Sequence, residues 1–219
     1  MKCLCKFANS DDPLSFASKS RASRLLAFSA LLASLPKPVR ILDIGGRTAF
    51  WENCGLAGLS DVEICSLNIL PETQMHKNIV PVVGDAIDLS RFPDRSFTIA
   101  FSNSVIEHLQ TFENQRRMAS EMRRVAQILW LQTPNFWFPV EPHFLVPAWH
   151  WLPTALRVSI VSHVRCGWRG PYPDRSLARD AVNEIRLMTR VELQRLFPNS
   201  TLVPERFLGF VKSWTVVCA

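Results

Sequence analysis

Short apolar runs rich in β-branched residues alternate with helical patterns along much of the chain. The runs predict strands at Val39–Ile44, 61–70, Ile79–Val83, 97–101 and 128–131, and helical patterns lie at 50–57 and 112–126. A parallel pair of strands needs a crossover connection, which is usually a helix. The alternation therefore predicts an α/β fold with a mostly parallel, doubly wound sheet.

The residues at the carboxyl ends of these strands are the first candidates for a ligand site, because open parallel sheets bind ligands at that edge. The residue types there are small or polar. They are Asp43, Gly45 and Gly46 after the first strand, Asn68 at the second, Asp85 and Ala86 after the third, and Asn103 and Ser104 after the fourth.

Composition narrows the class of protein. Hydrophobic residues make up 47% of the 219 residues, which excludes a disordered chain, and the length suits one domain. Lysine and arginine number 25 and aspartate and glutamate 19, so the net charge is +6. The arginines of 112–126 are interspersed with glutamates, which is typical of a solvated helix face. Nucleic acid is therefore not the expected partner.

The six cysteines show neither a disulfide framework nor a metal-binding pattern. They are Cys3, Cys5, Cys54, Cys65, Cys166 and Cys218, and they include no CxxC pair and no Cys/His group of zinc-finger type. We therefore predict no metal site and a reduced, cytoplasmic chain.

The segment before the first strand is apolar but short. Residues 25–36 cannot span a bilayer, which needs about 20 apolar residues. We predict an amphipathic helix instead. Its core side would carry Leu25, Leu26, Phe28, Leu31 and Leu32, and its polar side Ser20, Arg21, Arg24 and Ser29.

An aromatic segment at 136–151 interrupts the alternation after the fifth strand. It carries three of the seven tryptophans, and its prolines exclude a long helix before Pro147. Three roles remain open for it: a lid over an apolar acceptor, a contact with a membrane surface, or a cover for the hydrophobic edge of the sheet. Farther on, Thr189 and Glu192 form a capping-box pattern before a helix, and strand-like runs follow at 200–203 and 214–217.

The turn at Gly45 and Gly46 does not match the dinucleotide fingerprint GxGxxG, which disfavours a nicotinamide-dependent oxidoreductase. The ordered set VRILDIGG, SLNIL, VVGDAIDL, FSNSVIEHL and LQTPN instead resembles the strand-end motifs of class I S-adenosylmethionine-dependent methyltransferases, and most closely the type 11 group. The resemblance covers about 39–153. It implies a Rossmann-like, seven-strand sheet with an antiparallel last strand, S-adenosylmethionine as cofactor, and methyl transfer to a small O- or N-nucleophile.

The same resemblance implies roles for the strand-end residues. Asp43, Gly45 and Gly46 would hold the methionine part of the cofactor, and Asn103 and Ser104 would line its methionine end. Asn68 would contact the ribose, Asp85 the adenine amino group, and Ala86 would pack beside the ring. The chain departs from the family pattern at Arg47 and Ala49, where glycines are usual, and at Asn68, where an acid is usual. On this basis Asn68→Asp is expected to tighten cofactor binding.

His108 and His143 are the candidate general bases, because an imidazole near its usual pKa suits the removal of a proton from the acceptor. Either histidine could instead be a packed residue. A catalytically inactive domain that serves as an interaction module is the alternative function, and the departures from the family pattern favour it. A lipid-like acceptor and a peripheral membrane contact stay open.

The chain divides by role into four parts within one domain. These are an N-terminal helical extension (1–38), a cofactor-binding core (39–135), an acceptor-side insertion (136–188), and a C-terminal helix with strands (189–219).

Overall fold

Seven strands form one sheet in the computed structural model, which describes residues 16–218 and the side chains from Arg24 onward. They are β1 (Val39–Ile44), β2 (Val62–Asn68), β3 (Ile79–Val83), β4 (Phe97–Asn103), β5 (Ala126–Pro134), β6 (Thr201–Phe207) and β7 (Phe210–Cys218). Their order in space is β3-β2-β1-β4-β5-β7-β6. The first five strands pair in parallel, and β7 is antiparallel to both β5 and β6. The predicted mostly parallel sheet with an antiparallel last strand is confirmed.

Six α-helices complete the described part of the chain. They are α1 (Phe16–Ala33), α2 (Thr48–Asn53), α3 (Phe112–Val125), α4 (Thr154–His163), α5 (Arg175–Asn183) and α6 (Arg190–Leu196), with short 3-10 helices at Ile106–His108 and Trp149–Trp151. The capping box predicted at Thr189 and Glu192 begins α6. Helices α4 and α5 were not predicted. Asp174, whose side chain accepts a hydrogen bond from the amide of Ser176, was the available start signal for α5.

The core has a layer on each face of the sheet, because alternate strand residues point to opposite faces. On one face Leu42 and Ile44 pack with Met118 and Met122 of α3. The opposite layer contains Val39 and Ile41 together with Phe28 and Leu32 of α1 and Trp51 of α2. Helices therefore cover both faces, as a doubly wound sheet requires.

Helix α1 confirms most of the predicted amphipathic pattern. Phe28 and Leu32 are buried, and Leu25 and Leu31 are half-buried. Leu26 was assigned to the core side and is 74% exposed, so that assignment was wrong. Leu26 lies two residues from Phe28, about 200° around the helix, and therefore points away from the sheet. Ser20 and Arg21 lie outside the described side chains, as do Cys3 and Cys5.

No helix among the described residues is long and apolar enough to cross a membrane. This agrees with the short apolar run that the sequence shows at 25–36.

The insertion after β5 has a hydrophobic cluster of its own. Phe144 and Trp149 stack at 4.5 Å between ring centroids and pack with Val158 and Val161 of α4 and with Ala178 of α5. By contrast, Trp137 is 62% exposed and Trp151 is 45% exposed. The aromatic segment therefore has two parts: a packed part that includes Trp149, and an exposed part.

Candidate functional site

Four strands end side by side at the edge where the sequence predicts a ligand site. Ile44 of β1 lies in register with Leu67 of β2 and Ser102 of β4, and Asn68 lies in register with Val83 of β3. The residues that follow these strands therefore share one edge of the sheet. The structure brings Gly45, Gly46 and Asn68 together there.

The glycine turn after β1 leaves no room for side chains. Gly45 has φ of +75°, a conformation that glycine adopts without strain. A Cβ on Gly46 would lie 1.5 Å from Oδ2 of Asp43, which is far inside van der Waals contact. The fold of this turn therefore requires glycine at both positions.

The side chain of Asp43 packs against the glycine turn. Its side chain is fully buried, and Oδ2 accepts a hydrogen bond of 2.6 Å from the indole Nε1 of Trp51. Burial raises the pKa of Asp43 to about 7, although the bond from Trp51 acts in the opposite direction. Oδ1 of Asp43 is buried and has no hydrogen-bond partner within the described part of the chain. The Phe50-Trp51 pair that follows the two glycines thus has a structural role, since Trp51 anchors the acid of the motif.

Asn68 contacts the turn itself. Its amide Nδ2 donates a hydrogen bond of 2.6 Å to the carbonyl oxygen of Gly46. The departure from the acid that is usual in the family therefore has a local explanation, because an amide can donate to a carbonyl and a carboxylate cannot. The expectation that Asn68→Asp tightens cofactor binding left out this hydrogen bond.

We now expect the opposite effect for Asn68→Asp. The carboxylate would lose the hydrogen bond and repel the Gly46 carbonyl, at a cost on the order of 1–3 kcal/mol, so affinity for the demethylated cofactor product should fall about 5- to 100-fold. Asn68→Ala serves as the control that removes the donor without adding charge. Calorimetric titration of both variants measures the effect. Tighter binding by Asn68→Asp would show that the amide is not needed at the turn.

The remaining predicted cofactor residues lie along the same edge of the sheet. Their environments differ from one another. Asp85 is exposed, and its Oδ1 accepts a hydrogen bond of 3.1 Å from the amide of Ile87. Ala86 packs against the adjacent hydrophobic core. Asn103 is half-buried at the end of β4. Ser104 donates from its hydroxyl to Oε1 of Gln132 at 2.7 Å, so this hydroxyl is already engaged by β5.

The two predicted bases, His108 and His143, come together although 35 positions separate them. Their rings meet edge to face with centroids 4.9 Å apart. Glu107 completes the cluster: one ligand-type atom from each of the three side chains lies within 4.8 Å of the others. Glu107 is fully buried, Oε2 accepts a 3.0 Å hydrogen bond from the hydroxyl of Thr133, and Oε1 has no partner among the described residues.

A second pair of carboxylates holds the histidine rings. Nδ1 of His143 lies 2.6 Å from Oε1 of the buried Glu141, and Nδ1 of His108 lies 3.1 Å from Oε1 of Glu184. Glu141 also accepts hydrogen bonds from the amides of His143 and Phe144 at 2.8 and 2.6 Å. Each histidine is thus fixed through Nδ1, which leaves its Nε2 for other contacts.

The electrostatics of the two histidines differ. Burial lowers the pKa of His108, and the nearby His143 acts in the same direction. Burial also acts to lower the pKa of His143, but the hydrogen bond and charge of Glu141 outweigh it and the net shift is upward. Desolvation raises the pKa of Glu107 to about 7.

Sequence reasoning missed Glu107, Glu141 and Glu184 as members of this site. Glu107 and Glu141 could have been found from the sequence. Glu107 directly precedes His108, and Glu141 lies two positions before His143. Two Glu/His pairs after successive strands meet at the same edge in a parallel sheet. Glu184 had no such signal, since it lies after α5 and reaches His108 only through the fold of the insertion.

A cavity of about 350 Å³ lies beyond the histidines, between the insertion and the residues before α6. Its walls combine aromatic rings with charged groups: Phe136, Phe144, Trp149, Glu141, Arg157 and Arg186. Glu141 belongs both to this wall and to the pair with His143, so the cavity adjoins the histidine cluster. His150 contacts the rings of Phe136 and Trp151.

Comparison with known proteins bears on the fold and on one part of the sequence. A model of the methyltransferase domain family, the type 11 group, matches residues 54–128. The match begins after the glycine turn and covers β2, β3, β4 and α3. Residues 54–128 of the chain are therefore similar to the methyltransferase domain family. No curated protein sequence matches the chain.

Solved structures with the methyltransferase fold match this chain over different lengths. The N-methyltransferase NodS from Bradyrhizobium japonicum is similar with a TM-score of 0.54 at 13% identity, over 95% of this chain and 97% of that one. A SAM-dependent methyltransferase from Methanosarcina mazei gives a TM-score of 0.51 at 14% identity, over 86% and 94%. A candidate sarcosine dimethylglycine methyltransferase from Galdieria sulphuraria matches 54% of this chain at 19% identity and a TM-score of 0.41. The present chain spans less than half of the length of that protein, 46%.

Proposed function

We propose that this chain is a class I methyltransferase and that it transfers a methyl group from S-adenosylmethionine to a small O- or N-nucleophilic acceptor. The observation that carries the proposal is the shared edge of the sheet. The glycine turn and the histidine cluster both lie beyond the carboxyl ends of the strands, which is where open α/β sheets bind ligands. This arrangement sets a cofactor site next to a site for the acceptor.

The residues of the turn fit a cofactor of this kind. Gly45 is exposed at the turn, and beside it Asp43 has a buried oxygen without a hydrogen-bond partner among the described residues. Asp43, Gly45 and Gly46 would hold the methionine part, Asn68 the ribose through its carbonyl oxygen, and Asp85 the adenine, with Ala86 beside the ring. Asn103 would line the methionine end. The cofactor supplies an electrophilic methyl group on sulfur, and the protein aligns the acceptor with it.

The acceptor side is proposed from the histidine cluster and the cavity. The Nε2 atoms of His108 and His143 would contact the nucleophilic atom of the acceptor, and one of them would accept its proton. The aromatic walls of the cavity suit an apolar part of a small acceptor. Nε1 of Trp149 and Nε of Arg157 are buried without partners in the described chain, and both are donors. An acceptor that also carries an oxygen-rich polar group would satisfy them.

Replacement of Asp85 tests the cofactor assignment. Asp85→Ala should lose one charge-assisted hydrogen bond, on the order of 1.5–3 kcal/mol, so affinity for S-adenosylhomocysteine should fall about 10- to 100-fold. Asp88→Ala is a matched control, because Asp88 lies three residues away and accepts a similar 3.1 Å hydrogen bond from the amide of Ser90. Both variants lose a turn contact, but only the first should lose affinity. Equal affinities in calorimetric titration would remove Asp85 from the site.

A further inference from the structure

The cluster of Glu107, His108 and His143 has the composition of a metal site. Two imidazoles and one carboxylate are the protein ligands of several catalytic zinc centres, in which a further position stays open for water or substrate. One ligand-type atom of each residue lies within 4.8 Å of the other two. In a tetrahedral site with bonds of about 2.1 Å the ligand atoms lie about 3.4 Å apart, so binding requires these atoms to approach one another by up to about 1.4 Å.

The surroundings of the histidines match the requirements of metal ligands. A ligating histidine commonly donates its second ring N–H to a carboxylate, which fixes the tautomer and the orientation of the ring. Both rings meet this condition, His143 through Glu141 at 2.6 Å and His108 through Glu184 at 3.1 Å. A merely packed histidine pair does not require an outer carboxylate on each ring.

The environment of Glu107 and the charges around the histidine pair also favour a metal ion. Oε1 of Glu107 is buried without a hydrogen-bond partner in the described residues, which is costly for a carboxylate. Three carboxylates, Glu107, Glu141 and Glu184, lie on or beside the histidine pair. The cation that bonds to this group is Arg169, which donates to Glu184 at 2.7 Å. The cluster is therefore short of positive charge.

We infer that Glu107, His108 and His143 bind one divalent transition-metal ion of the Zn²⁺ class, with Glu141 and Glu184 as outer carboxylates. The sequence analysis predicted no metal site, because His143 lies 35 positions from the adjacent Glu107 and His108 and these residues have no zinc-finger spacing. Two imidazole ligands favour Zn²⁺ and related ions over Mg²⁺ and Ca²⁺, which prefer oxygen ligands. Zn²⁺ is therefore the probe of choice.

Such an ion would act on the acceptor. A metal ion that binds a hydroxyl lowers the pKa of that hydroxyl, and it orients the oxygen for attack. The histidines would then serve as ligands, and the hydroxyl of the acceptor would be acidic enough to release its proton to water, which leaves an alkoxide to attack the methyl group. Metal binding can be measured without methyl transfer, so this inference stands or fails separately from the proposed function.

Titration of the metal-free full-length protein with Zn²⁺ alone tests the site. We expect one high-affinity ion per chain, and weaker binding of Mg²⁺ by at least tenfold. Glu107→Gln should weaken Zn²⁺ binding more than tenfold, and Glu184→Gln, which changes only an outer carboxylate at a half-exposed position, about tenfold or more. The control is His76→Ala, since His76 pairs with Glu52 at 2.7 Å on the surface, away from the cluster.

The results that support the metal site differ from those that overturn it. Loss of binding in the two glutamate variants but not in His76→Ala supports the site, and a Co²⁺ absorption spectrum that changes in the same variants supports it further. No Zn²⁺ binding by the parent, or parental affinity in both glutamate variants, overturns the inference, as does equal loss in His76→Ala. Binding of S-adenosylhomocysteine to the metal-free protein reports on the proposed function alone.

Discussion

Gly46→Ala is expected to destabilise the protein strongly and to abolish measurable cofactor binding. The new Cβ would lie 1.5 Å from Oδ2 of Asp43, and Asp43 cannot retreat because it is fully buried and bonded to Trp51. Overpacking and loss of that hydrogen bond together cost on the order of 3–5 kcal/mol. For a domain of this size the melting temperature should fall by about 10 °C.

Gly55→Ala separates this steric effect from the general cost of replacing a glycine. Gly55 has φ of +70°, but a Cβ there would meet no atom within 4 Å. We expect a loss on the order of 1–2 kcal/mol from backbone strain and an unchanged affinity for the demethylated cofactor product. Equal stability losses in the two variants would contradict the tight packing of Gly46 on Asp43.

Trp149→Ala is expected to lower the free energy of unfolding strongly. The same change should leave the affinity for the cofactor product nearly unchanged. Trp149 is 1% exposed and stacks on Phe144 in the cluster shared with α4 and α5. Truncation of a buried tryptophan costs about 3–5 kcal/mol. Affinity for S-adenosylhomocysteine should stay within about threefold, a difference below about 0.7 kcal/mol, because the cluster lies apart from the glycine turn.

Trp151→Ala is the matched control, two residues away and 45% exposed. It should change the free energy of unfolding by less than about 0.5–1 kcal/mol. Thermal unfolding and calorimetric titration of both variants give the comparison. A folded Trp149→Ala variant that loses cofactor affinity would place the insertion on the cofactor side and contradict its assignment to the acceptor side.

The parallel strands and the polar residues that follow them were predictable because they depend on local patterns. β1 and β3 have the predicted bounds, and the others differ by a few residues at their ends. Buried parallel strands read as short apolar runs, and the small and polar residues at their carboxyl ends mark the ligand edge. The antiparallel last strand was expected from the family resemblance and not from the pattern of residues.

Contacts between distant segments were not predictable in the same way. The hydrogen bond from Asn68 to the Gly46 carbonyl crosses from β2 to the turn after β1, and it reverses the expected effect of Asn68→Asp. The pairing of His108 with Glu184 depends on how the insertion folds back on the sheet. Leu26 was misplaced because composition alone does not fix which arc of a largely apolar helix faces the core.

The most direct test of the proposed function is calorimetric titration of the full chain with S-adenosylmethionine, S-adenosylhomocysteine and NAD. We expect a single site for the first two ligands, with Kd on the order of 1–100 μM, and no heat of binding with NAD. Absence of binding by both sulfur compounds would contradict a methyltransferase and favour an interaction module. Binding of NAD instead would contradict the assignment of the glycine turn to S-adenosylmethionine.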